Sequence, residues 1–318
     1  MDRNDWAREE IKQIYETPLL KLIFQASGIH QQYHPAGEIQ LCMLLSVKTG
    51  NCSEDCAYCP QSAHNQTGVK SNALDKEAIL QGARRAKELG CSRLCLGSSG
   101  REVRNNGVFQ LLLECVPEIR KIGLEVCCSL GMMHDEQAKQ LKEAGVSAYN
   151  HNIDSSESFY SKIITTRTYQ DRLDTLESVR NAKMAVCTGG IIGMGESDED
   201  RIDFLHTLAT LPQHPESVPI NALIPIKGTP LENQTKRVSV WEMLRVIAAA
   251  RIVMPKALIR LSAGRSFFSQ VEQTLFFLAG ANSLHTGEKL LTAPNCGIEN
   301  DEILREILGF IPMKSPLQ

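Results

Sequence analysis

The chain has 318 residues, 42% hydrophobic and 22% charged, with a formal net charge of −3. That is globular composition, with no electrostatic case for a nucleic-acid partner or an acidic membrane surface. No apolar run reaches membrane-spanning length, because the best candidate, 243–259, is broken by Arg245, Arg251, Pro255 and Lys256.

The opening run, Met1-Asp2-Arg3-Asn4-Asp5-Trp6, is charged and acidic, unlike a secretion signal or a transit peptide, so the cytoplasm is the expected compartment. Residues 1–36 read as an N-terminal helical cap and 37–310 as a barrel, together one domain spanning 1–318. Strand-like apolar runs follow at 41–47, 93–97, 124–130, 146–150, 184–188, 218–223, 258–262 and 281–284. Amphipathic helical stretches separate them at 76–89, 107–122, 136–144, 169–181, 199–211, 240–253 and 271–278, with a last helix near 301–308. Glycines punctuate several helix ends, at Gly90, Gly123, Gly145 and Gly280. Eight strands alternating with helices predict an α/β fold, a parallel sheet closed into a (β/α)8 TIM-type barrel with an N-terminal helical extension. An open doubly wound sheet also alternates in this way, but the count of eight favours closure.

Three cysteines follow the first strand, Cys52, Cys56 and Cys59, in a C-x3-C-x2-C spacing. A disulfide would leave one of them over. A zinc site could complete a Cys3His set with His64, although zinc modules mostly bring their ligands in as two separated pairs. The chain holds 11 cysteines in all, and a reducing compartment makes cofactor ligation the leading account for some of them. A [4Fe–4S] cluster is normally held by four thiolates. Three would leave one iron open to a ligand that is not protein.

Strand alternation sorts the later residues between lumen and helices. Leu124, Val126, Cys128 and Leu130 form a greasy outer face, which sends Cys127 inward. The same parity turns Cys95, Cys187, Asn221 and Arg260 inward. A buried Arg260 needs anionic or acceptor partners, and thiolates carrying iron would supply them. Cys42, Cys91, Cys115, Cys128 and Cys296 read as small core hydrophobes.

The run 44–68, LLSVKTGNCSEDCAYCPQSAHNQTG, resembles the cluster loop of the biotin synthases, a family of radical S-adenosylmethionine enzymes. Further similar runs are YNHNID at 149–154, ITTRTYQDR at 164–172, CTGGIIGMGE at 187–196, VPIN at 218–221, KGTPL at 227–231, IRLSAGR at 259–265 and AGANS at 279–283. The resemblance runs in order from about 18 to 294. It implies that Cys52, Cys56 and Cys59 hold a [4Fe–4S] cluster whose open iron is chelated by S-adenosylmethionine. It implies that Cys95, Cys127, Cys187 and Arg260 hold a [2Fe–2S] cluster that donates sulfur. The implied reaction is radical insertion of sulfur between C6 and C9 of dethiobiotin, with a 5′-deoxyadenosyl radical removing the hydrogens. Asn152 and Asp154 match residues on the adenosyl ribose, and Arg172 a position near the S-adenosylmethionine carboxylate. Asn150, Asn152 and Asn221 match residues that grip the ureido ring, and an amide offers both donor and acceptor to a cyclic urea. The glycine run 189–196 is not spaced as G-x-G-x-x-G, and is expected to bring backbone close to the adenosyl group. The resemblance also implies a homodimer and a flavodoxin- or ferredoxin-type electron donor.

Plainer readings stand beside these. Asn150 and Asn152 could shape a turn, and Arg172 lies in an amphipathic helix where solvated charges are common. The chain departs from the family pattern at 96–101, at 284–288, where an aromatic pair is replaced, and at Ala293, where a second threonine is common. Other functions to weigh are a mutase or maturase on the same barrel without sulfur insertion, an electron carrier, and a zinc-stabilised binding protein. The inward cysteines and Arg260 argue against the first. Carriers fill all four cluster positions with cysteine.

Overall fold

The computed structural model of the chain describes residues 3–34, 37–234 and 236–317. Positions 1–2 of the opening run and 35–36 at the end of the expected cap lie outside the described residues. Eight parallel strands form the barrel: β1 (Glu38–Thr49), β2 (Arg93–Ser98), β3 (Glu125–Ser129), β4 (Ala148–Asn150), β5 (Ala185–Cys187), β6 (Ser217–Ala222), β7 (Leu258–Leu261) and β8 (Ser283–Thr286). Each pairs with the next, and β8 pairs back onto β1 through Gln40↔Ser283 and Cys42↔His285, so the sheet closes. The closed α/β barrel is therefore the fold, and the open sheet is not.

The strands are short and apolar because both faces are covered. Leu94, Leu96, Val126, Cys128, Val186, Ile259 and Leu261 belong to the buried core on the helix side. Loops carry the chain from the C-terminal ends of the strands to the helices, several of which are capped by side chains. Thr168 with Asp171, Ser197 with Asp200, Ser239 with Glu242 and Ser269 with Glu272 form reciprocal capping boxes. Gly145 ends the helix Asp135–Ala144 in the left-handed region, at φ 107°, where a side chain is costly.

Two N-terminal helices, Arg8–Glu16 and Leu19–Tyr33, lie outside the ring. Arg8 pairs with Glu199 at 2.7 Å and Asp203 at 2.5 Å, and Arg245 donates to the Thr17 carbonyl at 2.9 Å, tying the extension to two ring helices. Three short strands were not legible in the apolar pattern. Gly190–Ile192 runs parallel to β6, Asn72–Ala73 lies antiparallel to the end of β1, and Ile311–Pro312 joins the start of β1. β8 also starts two residues later than its apolar run, because Ala281 and Asn282 form its approach.

Candidate functional site

The three-cysteine loop leaves β1 through Gly50 and Asn51, both at positive φ. It is then pinned on itself. Cys52 N donates to Gln61 O at 2.9 Å, Ala63 N to Cys52 O at 2.7 Å, and Asn65 Nδ2 to the carbonyls of Cys56 at 3.2 Å and Cys59 at 2.8 Å. Glu54 is buried beneath it, between Arg101 at 3.2 Å and Arg167 at 3.5 Å. Arg101 belongs to the departure at 96–101, so that stretch braces the cluster loop. Arg167 Nη2 lies 3.9 Å from Cys56 Sγ.

Burial pushes the Cys56 thiol up to about 12 and the Cys59 thiol to about 11. Metal must therefore displace protons that burial holds on. Among the described residues no three His, Cys, Asp or Glu side chains draw together tightly enough for a single ion. A cluster of several irons spreads its ligands further apart, and three thiols on a rigid loop beside a cation fit one. His64 does not join them, because its Nε2 meets the Ser53 carbonyl at 3.2 Å.

The rim after β4 carries the next set. Asp154 is buried at φ 67° and receives Arg172 Nη2 at 2.5 Å and Tyr58 OH at 2.7 Å, both on Oδ2. Arg172 is thus not a surface charge. It is buried, with Nε also donating to Tyr160 OH at 2.8 Å. Asp154 N and O bond to Gly189 O and Ile191 N. A Cβ at Gly189 would collide with the Pro219 carbonyl, so the glycine permits this close passage of backbone.

The asparagines do more than shape a turn. Asn150 Nδ2 donates to Asn152 Oδ1 at 3.0 Å and reaches Cys187 Sγ at 3.4 Å. Asn152 Oδ1 also accepts from Gly189 N at 3.2 Å. Asn221 is held at both amide ends, by Gly190 O at 2.9 Å and Ala263 N at 3.0 Å. This fixes its orientation while each end keeps capacity for one more bond.

Inside the barrel, Cys95, Cys127 and Cys187 form a separate buried cluster with Cys42 and Ala148. The inward parity of the three cysteines and Arg260 matches the structure. Cys42 is a buried core residue, as expected, but it belongs to this lumen group rather than to the main core. Both faces of β1 are apolar at this point, with Leu41 and Met43 outside and Leu44 inside, so alternation gave no signal there.

The thiols lie in mutual contact, with Cys42 Sγ donating to Gln40 Oε1 at 3.5 Å. The Cys127 hydrogen bond, helped against burial by Arg260 and Ser217, pulls Cys187 down to about 6. The same bond pushes Cys127 up to about 12. Arg260 Nη1 lies 3.5 Å from Cys187 Sγ, Nε donates to Ser283 Oγ at 3.0 Å and Nη2 to Gln40 Oε1 at 2.8 Å. Soft thiols around one buried cation suit an iron–sulfur cluster.

A cavity of about 250 Å³ joins these sets. It is lined by Cys59 of the loop, by Asn150, Asn152 and Asn221, and at depth by Cys127 and Arg260. Cys52, Cys56, Cys187 and Arg172 stand behind the lining. His285 and Ala293, from the two remaining departures, also border it. Tyr58, which holds Asp154, was hidden inside the cysteine motif.

Two family models match the chain, one described as the radical SAM superfamily over residues 46–208 and one as the biotin and thiamin synthesis associated domain over 219–311. A mitochondrial biotin synthase of Arabidopsis thaliana is 57% identical over 312 residues, covering 98% of this chain and 82% of the relative. Biotin synthases of Cytophaga hutchinsonii and Schizosaccharomyces pombe are 54% and 50% identical, each covering 98% of this chain and 93% and 87% of the relatives. Among solved structures, methylornithine synthase is similar with TM-score 0.82 at 20% identity, covering 97% of this chain and 94% of that one. The FeFe-hydrogenase maturase of Carboxydothermus hydrogenoformans is similar with TM-score 0.83 at 18% identity, covering 97% and 76%. Those two likenesses speak for the barrel alone.

Proposed function

The chain belongs to the biotin synthase family of radical S-adenosylmethionine enzymes, and from that premise we propose which of its residues carry sulfur insertion into dethiobiotin. The observation that supports the assignment is the single cavity lined by both Cys59 and the lumen thiols. A mutase or maturase reading has no use for the second thiol set.

Cys52, Cys56 and Cys59 would hold the [4Fe–4S] cluster, and Cys95, Cys127 and Cys187 the [2Fe–2S] cluster, with Arg260 closing its fourth side. When bound, these groups and S-adenosylmethionine supply an electron, a 5′-deoxyadenosyl radical and a sulfur atom, because acid–base chemistry cannot break unactivated C–H bonds.

The chain's own residues bind, orient and exclude. Arg172 and Tyr58 fix the Asp154 carboxylate, leaving Oδ1 to accept from a ribose hydroxyl. Asn152 keeps its amide NH2 and Asn221 its remaining valences for the cyclic urea. Asn150 orients Asn152 and Cys187 together, so it positions as well as binds. The closed lumen keeps water and stray hydrogen donors away from the reacting carbons.

We keep residues 1–318 as one domain, with a homodimer, a flavodoxin- or ferredoxin-type reductant and a cytoplasmic location as parts of the same proposal. No helix among the described residues is long and apolar enough to cross a membrane. Sedimentation of the purified protein and cell fractionation test the dimer and the compartment.

The test of function is anaerobic iron and sulfide analysis with absorption and electron spin resonance. Two cluster types per chain are expected, and Cys187→Ala loses only the two-iron signal. If that variant still converted dethiobiotin to biotin at the unaltered rate, the sulfur-donor assignment would be wrong.

A further inference from the structure

His285 stands in the wall of the shared cavity, in a stretch where this chain departs from the family pattern. On β8 it lies two positions after Ser283, whose Oγ accepts from Arg260 Nε at 3.0 Å, so both side chains turn into the lumen. It pairs in register with Cys42 of the lumen thiol group. Its backbone is pinned, because the carbonyl accepts from Asn295 Nδ2 at 2.9 Å and from Arg265 Nη2 at 3.2 Å. The residue is only 7% exposed, and its Nδ1 meets Ser262 Oγ at 2.7 Å. The imidazole is therefore built into the wall and held there at both backbone and ring.

The other ring nitrogen is the informative one. Nε2 is buried and has no hydrogen-bond partner among the described residues. Ser262 Oγ has no other acceptor there, so its hydroxyl proton goes to Nδ1 and the ring proton sits on Nε2. A buried N–H without an acceptor is costly, so Nε2 calls for one from whatever fills the cavity. The amides of Asn150, Asn152 and Asn221 are spoken for by the urea in the assignment above. Arg260 is directed to Ser283, Gln40 and Cys187. It is also the cation whose field His285 feels most. An anionic group seated against Arg260 and the lumen thiols would thus meet a second donor in His285.

We propose that His285 tunes the two-iron site: its Nε2–H donates a hydrogen bond to a sulfur of the cluster held by Cys95, Cys127, Cys187 and Arg260, and Ser262 keeps the ring proton on that nitrogen. This rests on the sulfur-donor reading of the same site. The ring forms no bond to iron and keeps its proton. Hydrogen bonds to cluster sulfurs help to set the reduction potential. An N–H on the sulfur offsets the negative charge that a one-electron reduction adds, so it favours the reduced cluster. A phenyl ring in the same place offers no such donor.

The experiment is a potentiometric titration of the full chain, reconstituted anaerobically with ferrous iron and sulfide and without dethiobiotin, read by the absorption and electron spin resonance of the two-iron cluster. Relative to the unaltered chain, His285→Phe should shift the midpoint to a more negative potential. His285→Gln, whose amide keeps an N–H donor, should recover part of that shift. Ser262→Ala, which frees the ring proton to move to Nδ1, should shift the midpoint in the same direction but less. Urea unfolding of the iron-free variants controls for folding. A midpoint indifferent to His285→Phe overturns the proposal, and a raised KM for dethiobiotin in that variant would then assign the imidazole to the substrate. Were His285→Phe to lose the cluster, Ser262→Ala decides, and an unchanged midpoint there overturns the proposal. No two-iron signal from the unaltered chain overturns the sulfur-donor reading itself, and the His285 assignment with it.

Discussion

Arg172 and Asp154 carry the strongest single-residue consequence. Both are buried, and they meet at 2.5 Å beside the cavity. Removing one member strands the other charge in low dielectric, which costs about 3–5 kcal/mol. Arg172→Met should therefore lower stability by about that much in urea unfolding and weaken S-adenosylmethionine binding. The double variant with Asp154→Asn should recover part of the stability and none of the binding. Recovery of both would mean that the pair is structural only. On the loop, Cys56→Ala should abolish S-adenosylmethionine cleavage, and persistent cleavage would sink the radical reading. The cysteine motif was legible because three ligands share one short loop. Arg172 was not, because helical periodicity cannot distinguish a solvated arginine from one turned onto a partner eighteen residues back.

At the level of elements, the helix starts do much of the positioning. Ser197 caps the helix Asp198–Ala209 and shares a reciprocal box with Asp200. Asp200 Oδ1 also accepts from Ser156 Oγ at 2.7 Å and Ser158 Oγ at 3.0 Å, binding the segment after Asp154 to this helix. Ser197→Ala should cost about 1 kcal/mol, measured by thermal unfolding. Asp200 responds to pH. Burial opposes its ionisation, but hydrogen bonds from Ser197, Ser156 and Ser158 outweigh burial and hold it at about 2. Its folded value lies below the ordinary aspartate value of about 4, so its stabilisation is present above that value and fades as pH falls through about 2. Asp200→Asn should flatten that part of the acid unfolding curve. Periodicity found these helices, two of them (169–181 and 240–253) to the residue, because caps and amphipathic faces are local. It missed Gly190–Ile192, since a three-residue strand has no period to read.

For the whole molecule, Arg251 joins the helix Val240–Val253 to the seam where the barrel closes. It donates to the carbonyls of Gly280 at 2.8 Å, Ala257 at 2.8 Å and Pro255 at 2.9 Å, and to Asn282 Oδ1 at 3.0 Å. It also meets His34 Nε2 at 2.8 Å, which brings the N-terminal extension to the same joint. Burial, with Arg251 beside them, lowers His30 and His34 to about 4. Unfolded histidine takes its proton near pH 6.5. The neutral folded rings therefore stabilise the joint fully above that pH, and the contribution is lost as pH falls from about 6.5 through about 4. Stability of the double variant His30→Gln/His34→Gln should be less sensitive to pH across that window; an unchanged slope would exclude these rings as its source. The amino-acid sequence by itself determined the eightfold alternation, the three-thiol loop, and the inward parity of Cys95, Cys127, Cys187 and Arg260, because each is a local pattern of spacing or side-chain direction. Only the tertiary structure decided that Cys42 joins them, that Asp154 is held by Arg172 and Tyr58, and that one cavity spans both thiol sets. Those facts depend on strand register and closure, which the packing of all eight strands sets at once and no stretch of chain records alone.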